Sequence, residues 1–158
     1  MMDKEAYPHQ VDCYWAGHDR NGHVAVFVTA GEGPVPSRLL IDGLIDWIGE
    51  QIDNLPESTM VAAAVRFPNP DAFADLARKG LFVYDWQDVH RSGPDASGCY
   101  ELVATPTSPI KLTSLPSELG DTVRQYGFLE LSFPGSPVID AAACFHCVDS
   151  ASARAPRR

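Results

Sequence analysis

His18, Asp19 and His23 lie together in the short stretch "HDRNGH", and two imidazoles with one carboxylate form a ligand set that suits zinc or iron. Asn21-Gly22 between them is a turn signal that would fold the flanking segments onto each other. A metal centre also needs an enclosed pocket and further groups to orient its imidazoles, whereas a hairpin tip is ordinarily solvated. These residues therefore read as a polar turn, and no metal is assigned to them.

Two other fragments invite a chemical reading. "GEGP" at residues 31–34 offers glycines ahead of a helix, the setting in which backbone amides cradle phosphate. The strong phosphate motif places a lysine and a Ser/Thr after its glycines, but here Pro34, Val35, Pro36 and Ser37 follow, and Glu32 adds negative charge. "CFHC" supplies Cys144, His146 and Cys147 as soft ligands, yet Cys13 and Cys99 lie far upstream as singletons, short of a four-ligand zinc pattern. No Gly-x-Ser-x-Gly elbow is present, and no catalytic residue or cofactor is assigned.

Carboxylates are the remaining chemical resource. Residues 32–57 contain Glu32, Asp42, Asp46, Glu50, Asp53 and Glu57 against a single basic residue, Arg38, so this stretch is a candidate contact for a basic partner. In "YDWQDVH" at residues 84–90, Trp86 stands between Asp85 and Asp88 where a strand runs into a polar loop. An exposed aromatic there would anchor an interface, although the same residue could close the core. The candidate partner-binding residues are thus Glu32, Asp42, Asp46, Glu50, Asp53, Asp85, Trp86 and Asp88.

Periodicity predicts the elements that must hold these side chains. "YWAG" and "HVAVFV" flank the Asn-Gly turn as a hairpin, and the second strand is apolar on both faces, as a strand inside a sheet should be. At about 100° per residue, Leu40, Ile41, Leu44, Ile45, Trp47, Ile48 and Ile52 share one arc of a helix over residues 38–53, with Asp42, Asp46, Glu50 and Asp53 opposite. "TMVAAAVRF" at 59–67 reads as a buried strand. Asn69-Pro70 opens a second helix that Gly80 ends, and "LFVYDW" and "CYELVAT" are strands. A third helix is predicted over 116–126, with Leu119, Val123 and Tyr126 inward, followed by a final strand, "FLELSF", at 128–133.

Strands interleaved with helices, together with the hairpin, indicate an α+β fold: one domain over residues 14–148, with a mixed, mainly antiparallel sheet and about three helices packed on it. Residues 1–13 read as an N-terminal extension and 149–158 as a mobile tail. The chain has 158 residues, 45% of them hydrophobic and 21% charged, which suits one globular domain rather than a disordered segment. Its formal charge of −9 argues against a nucleic-acid partner, which requires a concentrated basic surface. No apolar run approaches the ~18 residues of a membrane span, and "MMDKEAYPHQ" lacks the basic-then-apolar order of a secretory signal. A cytoplasmic protein with free thiols is expected.

The pattern Asp-x-x-Gly-His-Val-Ala-x-Phe at 19–27, the Gly-x-Gly-Pro-x-Pro at 31–36 and the helix-to-"GLFVYD" junction within 71–86 resemble small bacterial proteins that include immunity proteins of polymorphic and type VI secreted toxin systems. The resemblance covers about half the chain. It implies a non-enzymatic cytoplasmic antidote that binds a cognate toxin domain and blocks its active site. The alternative is a small enzyme or a ligand- or metal-binding domain using the 18–36 region or the Cys144-to-Cys147 segment.

Overall fold

Two strands, β1 (Tyr14–Asp19) and β2 (Val24–Val28), form the expected hairpin, with Trp15 opposite Phe27 and His18 opposite Val24. The computed structural model describes residues 13–64, 70–86 and 99–148. Most of the N-terminal extension, residues 65–67 of the predicted 59–67 strand, Asn69 before the second helix, the 149–158 tail and the candidate contact Asp88 lie outside the described residues.

After the hairpin come β3 (Val35–Pro36), α1 (Ser37–Ile41), α2 (Ile45–Asp53), β4 (Val61–Ala64), α3 (Pro70–Ala77), β5 (Phe82–Trp86) and β6 (Tyr100–Pro106). They are followed by α4 (Ser117–Val123), β7 (Gly127–Phe128), β8 (Val138–Ile139) and β9 (Cys147–Val148). The main sheet runs β4-β6-β5-β2-β1-β7, with β8 also beside β6, and β3 pairs with β9 in a separate ribbon. Within it, β1/β2, β4/β6, β5/β6 and β6/β8 are antiparallel, whereas β2/β5 and β1/β7 are parallel. Over the described residues the chain is a single α+β domain with a mixed sheet and four α-helices.

All five residues of β2 are buried, as apolar faces on both sides require of a strand held between β1 and β5. Aromatic side chains fill one side of the sheet. Trp15 stacks on Phe27 at 4.4 Å, Phe27 on Tyr84 at 5.2 Å, and Tyr100, Phe128 and Phe133 close around them. On α4 and the turn after it, Leu119, Val123 and Tyr126 are buried as their spacing predicts. Helix α2 packs against β1, and α3 against β4, β5 and β6.

Four details differ from the sequence expectation, each for a local reason. The helix over 38–53 is two helices, because Gly43 adopts a left-handed φ of 67° and closes α1: its N–H bonds the Leu40 carbonyl, and the Leu44 N–H bonds that of Leu39. This is the glycine-terminated helix end known as the Schellman motif. Strand β4 is an edge strand rather than a buried one. Only β6 pairs with it among the described residues, so Ala62, Ala63 and Ala64 are exposed and Met60 before it is 76% exposed. The final strand stops at Phe128, where the Leu131 N–H bonds the Phe128 carbonyl and turns the chain, leaving Leu129 exposed and delivering Phe133 to the core through a short 3₁₀ turn.

The hairpin turn is the fourth. A two-residue Asn-Gly turn needs positive φ at both residues, but only Gly22 has it, at 82°. Asp19 leads the turn instead: its carbonyl accepts from the Gly22 N–H, and the Asp19 N–H bonds the His23 carbonyl. This is the longer hairpin connection in which a glycine bulge follows a turn led by aspartate.

Candidate functional site

The hairpin tip is a closed network rather than an open ligand set. Asp19 is 1% exposed, and its Oδ1 accepts the backbone N–H groups of Asn21 and His23, both at 2.9 Å. Its Oδ2 accepts the Phe133 N–H at 2.9 Å and lies 3.1 Å from Nδ1 of His23. Burial alone would raise the Asp19 pKa. The hydrogen bonds from Phe133, His23 and Asn21 outweigh it and hold the carboxyl below its ordinary value. His18 faces elsewhere, with Nδ1 at 3.1 Å from the Asp19 carbonyl and Nε2 at 3.2 Å from that of Arg124. Among the described residues no three His, Cys, Asp or Glu side chains converge where they could hold a metal ion.

The glycine-rich loop uses its own amides. The Gly31 N–H donates to Oγ1 of buried Thr29 at 3.2 Å, and those of Glu32 and Gly33 donate to the Thr29 carbonyl at 3.0 and 2.9 Å. A Cβ on Gly33 would stand 2.7 Å from the Tyr100 hydroxyl and 2.9 Å from Trp86, so glycine here lets the loop lie on the aromatic core. The Trp15 Nε1–H donates to the Tyr100 hydroxyl at 3.3 Å, and that hydroxyl donates to the Pro34 carbonyl at 2.8 Å. Tyr100→Phe is expected to cost about 1 to 3 kcal/mol by leaving a buried donor and a buried acceptor unpaired, measurable by urea unfolding.

In "CFHC", half-buried Phe145 meets Phe128 edge-on at 4.9 Å and Tyr126 at 5.7 Å, and the His146 carbonyl accepts the Ser37 N–H at 2.8 Å. The Cys147 Sγ lies 3.8 Å from the Ala141 carbonyl. Burial and then Asp140 raise the thiol pKa of Cys99, and burial, Asp140 and Glu130 raise that of Cys144. That direction is opposite to the one that activates a cysteine.

The expected contact residues divide. Asp42, Asp46, Glu50 and Asp53 are exposed along α1 and α2, with Asp42 paired to Arg38 at 3.2 Å and Asp53 accepting from the Tyr14 hydroxyl. Glu32 is half-buried. Asp85, expected at the surface, is 4% exposed, because β5 is flanked by β2 and β6. Trp86 is half-buried against Tyr100 at 5.3 Å, so much of its ring belongs to the core.

One feature of this face escaped the sequence reading. An open groove of about 370 Å³ is lined by Leu44 and Trp47 from the start of α2 and by Glu118, Asp121 and Thr122 from α4. Trp47 and Leu44 are half-buried, and Glu118 and Asp121 are exposed. Glu50 follows Trp47 by three residues and so neighbours it on the surface of α2. Acidic residues three apart on α4 were the available signal, but which helix they would face is not a local property. No helix among the described residues is long and apolar enough to cross a membrane. Comparison of the chain with protein-family models, curated proteins and solved structures found no match.

Proposed function

We propose that this chain is a non-enzymatic binding protein of the cytoplasm, and that its partner is the basic domain of a cognate bacterial toxin whose active site it covers. The observation that carries this reading is the surface of α1, α2 and α4. Asp42, Asp46, Glu50 and Asp53 stand exposed on α1, α2 and their caps, and Glu118 and Asp121 of α4 line a groove with Leu44 and Trp47 of the α2 side. A carboxylate rim around apolar anchors combines the two requirements of a fast and tight encounter. Charge steers the approach of an oppositely charged partner, and a few desolvated side chains hold it. A toxin that acts on an anionic substrate has a basic cleft, which an acidic surface of this kind complements.

The test is capture of the tagged protein from its host cell at low and then high salt, together with survival of host cells beside toxin-producing siblings. Recovery of one basic domain in about equal amount, and loss of survival on deletion of the gene, is the expected result. Survival without the gene would sink the toxin assignment. The double variant Asp46→Lys/Glu50→Lys should weaken capture about tenfold or more at low salt, mainly through the association rate, with an unchanged melting temperature. Equal binding by the variant would exclude α2 from the interface.

A further inference from the structure

Resting on the reading that this face meets a basic protein, we infer that the groove between α2 and α4 receives an arginine side chain of the partner, with its guanidinium over the Trp47 indole and against Glu118 and Asp121. Trp15 is fully buried and Trp86 lies half-buried against Tyr100, whereas Trp47, also half-buried, lines an open groove. Leu44 extends the apolar floor, and both carboxylates come from the opposing helix.

The combination of ring, aliphatic surface and paired acids selects among cations. A guanidinium is planar and weakly hydrated, stacks on an aromatic face and can bond carboxylates through a fork of N–H donors. An ammonium is a compact, strongly hydrated charge that gains little from the apolar floor. An uncharged apolar side chain would bring no charge to Glu118 and Asp121 and would leave them beside a partly desolvated surface. The chain itself shows that Asp121 accepts a guanidinium, since Arg124 reaches its Oδ1 at 3.0 Å. Arg124 lines a second groove, of about 320 Å³, which Asp121 also borders. Because that pair is exposed on both sides and is worth little, it does not prevent Asp121 from turning toward an incoming arginine.

The test follows the three indole N–H signals of ¹⁵N-labelled protein while adding the peptide acetyl-Gly-Ser-Arg-Ser-Gly-amide, or the same peptide with lysine or citrulline in place of arginine. The signal that disappears in Trp47→Phe identifies the groove. We expect that signal to shift saturably with the arginine peptide, the Trp15 signal to stay fixed, and the lysine and citrulline peptides to bind at least about threefold more weakly. Glu118→Gln/Asp121→Asn, which changes exposed side chains only, should weaken the arginine peptide about tenfold while leaving the melting curve unchanged. No shift of the Trp47 signal, or equal shifts with all three peptides, overturns the inference. If capture of a basic partner is still weakened by Asp46→Lys/Glu50→Lys in that case, the binding reading stands without its arginine pocket. If the arginine peptide binds but no basic partner is recovered, the pocket stands and the toxin reading fails.

Discussion

Replacing Asp19 with alanine is expected to remove about 3 to 5 kcal/mol of stability, a large share of the roughly 5 to 15 kcal/mol that holds a domain folded. The carboxylate is buried and joins three backbone N–H groups, from Asn21, His23 and Phe133, to one point beside the His23 ring. Alanine leaves those donors without their acceptor; the Phe133 N–H is buried and those of Asn21 and His23 partly so, and a buried donor so stranded costs about 1 to 3 kcal/mol. Asp19→Asn tests the same point with little change of shape, since its amide nitrogen cannot accept. Urea unfolding of both variants at neutral pH measures the effect. A loss below about 1 kcal/mol for the alanine variant would mean that the hairpin tip and the Phe133 turn do not depend on the carboxylate.

The same group predicts a pH dependence with a definite sign. The folded-state pKa of Asp19 lies below its ordinary 3.8, so the folded protein holds this proton less tightly than the unfolded chain does. Its contribution is therefore complete above the unfolded value and is lost as pH falls below 3.8 toward the depressed folded value. Wild-type stability should decline through that acid range more steeply than that of Asp19→Asn, and parallel curves would overturn the assignment.

Trp15→Ala is the second large effect, at about 3 to 5 kcal/mol, because it removes a fully buried indole from the middle of the aromatic layer. Trp15 stacks on Phe27 at 4.4 Å and meets Tyr100, Tyr126, Phe128 and Phe145 at centroid distances of 6.2 to 6.4 Å. The surrounding rings come from β2, β6, β7 and the segment before β9, so the cavity has rigid walls that cannot all collapse into it. Trp15→Phe keeps an aromatic ring but loses the N–H bond to the Tyr100 hydroxyl, and should cost less, about 1 to 2 kcal/mol. Chemical unfolding of the two variants gives the comparison, and an alanine variant no weaker than the phenylalanine one would show that packing around Trp15 is loose.

Periodicity in the chain already identifies β2 as an internal strand, the apolar stripe of α1 and α2 and the inward residues of α4, because neighbours three or four apart on a helix, or two apart on a strand, share a face whatever the rest of the fold does. The acidic row of α2 is legible for the same reason. Even the break between α1 and α2 has a local cause in Gly43, where the helix period alone suggests one continuous helix.

The remaining features depend on partners distant in sequence. Asp19 is legible as a turn residue, but its bond to the Phe133 N–H, 114 positions away, makes it a buried structural carboxylate. Gly33 reads as one of the loop glycines ahead of a helix, and only the fold brings Tyr100 and Trp86 to lie against it. Asp85 alternates with aromatic residues on β5, a strand inside the sheet between β2 and β6, and is buried there. The groove of Trp47, Glu118 and Asp121 belongs to neither helix alone. Local spacing determines which residues share a face, since it follows from backbone geometry within a few residues. Only the packed tertiary structure decides what that face meets, because the answer depends on which distant segments exclude water together.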